Sequence, residues 1–172
     1  LYRSLLFAHR NWGGTPDADV SEEVHARIEE AVEEFREAVN DYSVRRTTQA
    51  GVRLAGFGNE YIQRNEPWKL VDDAPGEAAQ VIRDCVQLAK AVSVLLAPAL
   101  PGKAESLWSQ LGEEGSVLDA GLEATLSAPP GEFDAPEELF ERVEDERVEE
   151  LNRALEERVE AAETGEVGGE GA

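Results

Sequence analysis

Few side chains in this sequence could carry out chemistry. The two histidines, His9 and His25, lie 16 residues apart, and neither has a cysteine or second histidine at zinc-ligand spacing. Cys85 is the single cysteine, on an apolar helical face, so we expect a buried, unreactive thiol and no disulfide. Glutamate pairs recur at helical spacing, as on a solvated face, and no glycine-rich phosphate loop is present. We therefore expect neither a catalytic nor a metal site.

The stretch best suited to bind a ligand is residues 54–70, LAGFGNEYIQRNEPWKL. Pro67 interrupts its helical pattern, because proline disfavours helix in the residue before it. Trp68 follows this break directly, with Arg64 and Lys69 close by in the sequence. An indole ring held at the tip of a helix can stack on an unpaired base, as in the recognition of single-stranded RNA. The spacing leaves open a second interpretation, in which Trp68 fills the core beneath the helix.

Apolar residues recur at helical spacing along most of the chain, which predicts an all-α protein. We expect a bundle of about five helices followed by a C-terminal helical extension. Ser21 and Asp41 are the predicted N-caps of the second and third helices. The predicted helices cover residues 1–12, 21–39, 42–64, 76–97, 102–111 and 144–162, with a further turn at residues 67–70.

The composition along the chain predicts three parts. Residues 1–112 form the helical bundle, and residues 113–162 form a linker and a C-terminal helix that packs back on the bundle. Residues 163–172 are small and acidic, and we expect a disordered tail.

The net charge of −21, from 37 acidic and 16 basic residues, argues against a nucleic-acid partner when taken alone. The acids are unevenly distributed. Residues 113–172 hold 20 acidic and 4 basic residues, whereas residues 41–70 hold 3 acidic and 5 basic residues. Residues 1–12 contain Arg3 and Arg10 and no acid. Only 3 basic residues are lysine, which together with the acid excess predicts a protein adapted to high salt, where charges are screened within about 3 Å.

Five residues share the order and spacing N-x-Y-(I/V)-x-x-x-x-P-W, namely Asn59, Tyr61, Ile62, Pro67 and Trp68. A helix that ends in this way resembles the anticodon-binding domain of methionine–tRNA ligases. The resemblance extends over about residues 1–145. It includes LYRSLLF at residues 1–7, LLAPALP at residues 95–101 and LFERV at residues 139–143.

The resemblance implies roles for individual residues. The tryptophan of the family's P-W pair stacks on an anticodon base, which assigns that role to Trp68, with Pro67 setting the turn and Asn59 as a further binding residue. The arginine of the family's N-x-x-x-N-x-x-x-R array falls on Arg3, while both asparagines fall before Leu1. Candidates for phosphate contacts on the two segments that escape the acid excess are Arg10, Arg45, Arg46, Arg53 and Arg64.

The resemblance also implies that the chain recognises the anticodon loop of a methionine-accepting tRNA within a ligase that uses ATP. ATP and Mg, with Zn as a further candidate, would then bind the catalytic domain of the same polypeptide, which this chain lacks. The chain itself would hold no cofactor. Its expected partners are tRNA and that catalytic domain, and neither DNA nor a membrane. No signal peptide or membrane span is visible, and we expect a cytoplasmic protein.

Two alternatives remain. The chain could be the corresponding domain of a valine, leucine or isoleucine ligase, although the P-W pair and the LFERV stretch argue against this. It could also be a helical protein–protein interaction domain, in which Trp12, Trp68 and Trp108 all belong to the core. The exposure of Trp68 separates these interpretations, because a fully buried ring cannot stack on a base.

Overall fold

The structure, a computed structural model, describes residues 2–140 and 145–163. These residues form α-helices and one turn of 3-10 helix and contain no β-strand, which confirms the predicted all-α class. Each predicted helix end lies within two residues of the observed one. The helices are α1 (Tyr2–Trp12), α2 (Glu22–Asn40), α3 (Val44–Asn65), α4 (Pro67–Leu70), α5 (Pro75–Leu96), α6 (Pro101–Gln110) and α7 (Asp145–Glu163), and the 3-10 helix is Leu122–Thr125.

The chain divides into two compact units, with the boundary between Leu139 and Phe140. The first unit contains α1–α6 and the segment that follows α6, so the boundary predicted after residue 112 lies inside it. The second unit contains α7. The predicted packing of the last helix on the bundle stays a prediction. The predicted acidic tail begins at Glu163, which is the last residue of α7, and its other residues, 164–172, lie outside the described residues.

Helix α5 is the central element of the first unit, and it contacts α1, α2, α3, α4, α6 and the 3-10 helix. Ile28, Leu54 and Leu88 belong to the apolar cluster that joins α2, α3 and α5. Leu5 and Ile82 belong to a second cluster, which joins α1, α5 and α6. Burying one such side chain contributes about 1.5–3 kcal/mol. Because α5 is covered on nearly all sides, the other helices of the first unit are arranged around it.

The predicted cap of the third helix is wrong. Ser43, not Asp41, caps α3, and its Oγ accepts a hydrogen bond from the backbone N–H of Arg46 at 3.4 Å. Tyr42 has a φ of 53°, so a left-handed residue separates α2 from α3. Asp41 instead ends α2, and its carboxylate pairs with the Arg46 guanidinium. Ser21 does cap α2, as predicted.

The segment after α6, predicted as a connection, is fixed against a polar face of α5. Gln87 Nε2 donates to the carbonyl oxygens of Thr125 at 2.6 Å and Ser127 at 3.1 Å. One turn further along, Lys90 Nζ donates to Ser127 Oγ at 2.8 Å and pairs with Glu113 Oε1 at 2.6 Å. Since buried polar groups need such partners, these contacts determine the path of a segment with little regular structure.

The same segment returns to the end of α1. Thr15 donates through its backbone N–H to the Gly131 carbonyl at 2.9 Å and through its hydroxyl to the Pro130 carbonyl at 2.6 Å. His9 Nδ1 lies 3.0 Å from the Phe133 carbonyl oxygen. A Cβ atom on Gly14 would lie 2.3 Å from the Gly131 oxygen, so this close approach requires glycine. None of the described helices is long and apolar enough to cross a membrane.

We expect the free energy of unfolding to increase when potassium chloride is raised from about 0.1 M to about 1 M, because the Debye length falls from about 10 Å to about 3 Å. The reason is the net charge of −21, whose self-repulsion destabilises the compact state. The urea midpoint at each salt concentration measures the effect. The increase should shrink at about pH 4, where many carboxylates are protonated. A midpoint that falls with salt at neutral pH would contradict the prediction.

Candidate nucleic-acid interface

The histidines and the cysteine lie in surroundings that do not suit catalysis or metal binding. Among the described residues, no three histidine, cysteine or acidic side chains lie where they could hold a metal ion. His9 contacts a backbone carbonyl, and His25 lies on the surface, 3.4 Å from Glu29 Oε2. Cys85 is buried, and burial raises the pKa of its thiol to about 12. A thiol with so high a pKa is not a nucleophile at neutral pH.

The turn between α3 and α4 presents Trp68. Glu66 ends α3 in the left-handed region, with a φ of 44°, and its backbone N–H donates to the Ile62 carbonyl at 3.0 Å. Pro67 is buried and begins α4, where a missing N–H costs nothing. Trp68 comes next and is 42% exposed. Because this residue is partly open to solvent, Trp68 is not a fully buried core residue.

The start of α1 lies at the same end of α5 as the end of α3. Leu5 of α1 lies in an apolar cluster that α1 forms with α5, and Ile62 of α3 packs against this cluster. Asp84 of α5 accepts a hydrogen bond from the Tyr61 hydroxyl of α3 at 2.5 Å. The start of α1, which carries Arg3, and the last turns of α3, which lead to Trp68, thus pack against the same part of α5. Asn59 and Arg3 are both exposed.

Asp84 is a residue that the sequence interpretation missed. Its side chain is fully buried, and its Oδ1 accepts from the backbone N–H of Ser21 at 2.8 Å. Tyr61 is 5% exposed, and burial together with the Asp84 carboxylate raises the pKa of its hydroxyl. Tyr61 therefore stays protonated and donates throughout the physiological range. The available signal was a single aspartate inside the apolar stripe of α5.

Three of the five candidate phosphate contacts are paired with the protein's own carboxylates. Arg46 pairs with Asp41 and Glu37, the latter at 3.7 Å. Arg53 Nη2 lies 2.6 Å from Glu34 Oε2. Arg64 Nη2 lies 2.7 Å from Glu23 Oε1, and its guanidinium also covers the Tyr61 ring at 5.5 Å. These three arginines of α3 thus face acids of α2 or of the turn between these helices, which reduce the net positive charge of a segment that is basic in isolation.

The remaining candidates are differently placed. Arg3, Arg10 and Arg45 are exposed, and no carboxylate of the described residues lies within ion-pair distance of any of them. These guanidinium groups can accept a phosphate without giving up another partner. An exposed ion pair is worth only about 0–1 kcal/mol, so the paired arginines could also exchange a carboxylate for a phosphate. The paired arginines must break an ion pair before they bind a phosphate, and the unpaired arginines need not.

Comparison with known proteins gives concordant results. Residues 13–159 match the family described as "Anticodon binding domain of methionyl tRNA ligase". The chain is 66% identical over 170 residues to the methionine–tRNA ligase of Natronomonas pharaonis, covering 99% of this chain and 24% of that protein. It is 52% identical over 171 residues to the methionine–tRNA ligase of Halobacterium salinarum, with the same coverage of 99% and 24%. The chain thus spans about a quarter of the length of these relatives.

The fold also resembles a solved structure, the apo form of Mycobacterium tuberculosis methionyl-tRNA synthetase. The TM-score is 0.73 at 18% sequence identity, over 83% of this chain and 30% of that chain. At this identity the comparison speaks to the fold alone, and it agrees with the helical architecture. Taken with the family match and the identities of 52% and 66%, it leads to one conclusion. The chain belongs to the methionine–tRNA ligase family and is its anticodon-binding domain.

Proposed function

We propose that this chain binds the anticodon loop of a methionine-accepting tRNA, with Trp68 stacked on an unpaired anticodon base. The observation that carries the proposal is that Trp68, directly after the buried Pro67, is 42% exposed. A buried anchor followed by an open aromatic gives a flat apolar surface with little freedom to move. Such surfaces bind unpaired bases in single-stranded RNA, and stacking contributes about 1–3 kcal/mol per base.

The other predicted residues have roles that follow from their chemistry. Arg3, at the same end of α5 as Trp68, has the donors for two hydrogen bonds to a base edge. Asn59 offers an amide for a further contact. Arg10 and Arg45 are suited to phosphates because they have no carboxylate to displace. Phosphate contacts by Arg46, Arg53 and Arg64 require exchange of their present partners.

On this proposal the chain supplies recognition, and the chemistry takes place elsewhere in the ligase. The full enzyme would join methionine to tRNA with ATP, and ATP and Mg, with Zn as a further candidate, would bind its catalytic domain. The partners of this chain are then the tRNA and that domain, in the cytoplasm, with no role for DNA or a membrane. The low affinity for phosphate expected from a net charge of −21 makes the aromatic contact more important.

The test is binding of a labelled methionine-tRNA anticodon stem-loop at molar salt, compared with the same loop carrying one changed anticodon base. We expect measurable binding that weakens by about 5-fold to 150-fold with the changed base, since a good base contact is worth about 1–3 kcal/mol. The measurement is made on this chain and on an extended version, in which about ten residues taken from a relative precede Leu1. If neither protein distinguishes the two loops, the proposal is refuted and the protein-interaction alternative gains.

A further inference from the structure

We infer that Asp84 is a positioning residue for the tRNA site: its buried carboxylate holds Tyr61 and the start of α2 so that Trp68 and Arg64 meet the RNA together. The inference rests on the proposed function, because it concerns the same surface. Asp84 is fully buried and cannot itself reach a nucleotide. Whatever it contributes to binding must therefore act through the groups that it holds.

The two carboxylate oxygens of Asp84 have separate partners on separate helices. Oδ2 accepts from the Tyr61 hydroxyl, near the end of α3, at 2.5 Å. Oδ1 accepts from the backbone N–H of Ser21, the N-cap of α2, at 2.8 Å. Hydrogen bonds to an ionised acceptor are shorter and stronger than those between neutral groups. A single side chain of α5 thus fixes both neighbours at one level of the bundle.

A second connection joins the same two helices at the surface. The Arg64 guanidinium lies 5.5 Å from the centre of the Tyr61 ring and pairs with both carboxylate oxygens of Glu23, at 2.7 Å and 2.9 Å. Glu23 lies two residues after Ser21. The contacts therefore close a ring that runs from the buried Asp84 to the exposed Arg64 and back. A shift of the Tyr61 ring would move the surface on which the guanidinium rests.

The path from Tyr61 to Trp68 is short and constrained. The Tyr61 carbonyl accepts from Asn65 Nδ2 at 2.9 Å, which holds the last turn of α3. Glu66 then takes its left-handed conformation, and the buried Pro67 starts α4, which packs against α5. Each step leaves few alternative conformations. The orientation of the indole consequently depends on where the Tyr61 hydroxyl is held.

The decisive variants are Asp84→Asn and Tyr61→Phe. Asp84→Asn replaces one acceptor oxygen by an NH2 group and removes the charge, so the Tyr61 hydroxyl can stay bonded only by turning to accept, and both contacts weaken. Tyr61→Phe removes only the hydroxyl and leaves the ring beneath Arg64. We expect each variant to weaken stem-loop binding about tenfold and to reduce the discrimination between the two loops. The double variant should be little weaker than either single variant, because both remove the same connection.

A matched control separates positioning from loss of stability. Val117→Ala shortens a buried side chain in a different apolar cluster, and should lower the melting temperature without changing the affinity for the stem-loop. All affinities are measured at a temperature where circular dichroism shows a folded protein. If Asp84→Asn does not fold, Tyr61→Phe alone decides. Unchanged affinity and discrimination in the folded variants would refute positioning, while base-dependent binding by the unsubstituted protein upholds the proposed function. If neither the unsubstituted chain nor its extended version distinguishes the two loops, both proposals are refuted.

Discussion

Replacing Trp68 by alanine should weaken binding of the anticodon stem-loop by about 5-fold to 150-fold, which corresponds to the roughly 1–3 kcal/mol of one stacked base. The ring is 42% exposed, so its removal takes less from the core than removal of a buried tryptophan would. The helical circular dichroism signal and the melting temperature should therefore stay close to those of the parent chain. Trp68→Phe keeps a smaller aromatic face, so its affinity for the stem-loop should lie between those of the parent chain and Trp68→Ala.

Trp108 provides the comparison within the same chain. It is 5% exposed, and its Nε1 donates to the Glu114 carbonyl at 3.3 Å. Trp108→Ala should lower the free energy of unfolding by about 3–5 kcal/mol, as expected for a buried tryptophan. Titration with the stem-loop and thermal melting of both variants distinguish the two positions. If Trp68→Ala melts as early as Trp108→Ala, the Trp68 ring belongs to the core and the stacking proposal fails.

A loss of stability as large as that of Trp108→Ala is expected for Lys90→Met. Lys90 is almost wholly buried, and its Nζ lies 2.6 Å from Glu113 Oε1 and 5.4 Å from the centre of the Trp108 ring. Among the described residues, that glutamate oxygen has no other hydrogen-bond partner. Removing the ammonium leaves a nearly buried carboxylate without compensation, which typically costs about 3–5 kcal/mol. Urea unfolding monitored by circular dichroism measures the loss.

A second substitution shows whether the uncompensated charge causes that loss. Lys90→Met combined with Glu113→Gln should recover most of it, because the remaining buried group is neutral. Arg147→Met, which breaks an ion pair with Glu150 on the exposed surface of α7, should have no measurable effect. A double variant as unstable as Lys90→Met would show that the methylene packing of the lysine, and not its charge, stabilises the segment.

The helices were predictable because local signals agree along the chain. Apolar residues at helical spacing determined each buried face, and Pro67, Pro75 and Pro101 each occupy the first residue of a helix. The start of α3 was predicted incorrectly for a physical reason. Asp41 and Ser43 are both favourable N-cap types, and the choice between them depends on the left-handed conformation of Tyr42, which its residue type disfavours.

The segment after α6 shows where composition is insufficient. Its glycines, prolines and acids predict a connection, and its regular structure is indeed limited to one 3-10 turn. What composition could not show is that Lys90 and Gln87 hold this segment against α5, because the partners lie 23 to 40 residues away in the sequence. Gln87 and Lys90 interrupt the apolar pattern of α5, and this was the signal that α5 has polar partners elsewhere in the chain.

The sequence indicated which residue types form the candidate site, but not which of its arginines are paired with acids. The position of Trp68 after a proline break suggested an aromatic platform, but the spacing could not decide between core and surface. The arginines of α3 appeared available for phosphate because their segment is basic. Their pairing with acids such as Glu23 and Glu34 depends on how α2 and α3 align, which only the tertiary structure determines.

The contact between His9 and Phe133 constrains the order of events during protein synthesis. These residues are 124 positions apart, and residues 130 and 131 contact Thr15 as well. A ribosome that adds about 5–20 residues per second needs about 6–25 s to make the chain between them. During that time the C-terminal end of α1 lacks its hydrogen-bonding partners. Helix α1, which is made before the other helices described here, is thus among the last of them to be completed, and until then its C-terminal end is accessible to chaperones and proteases.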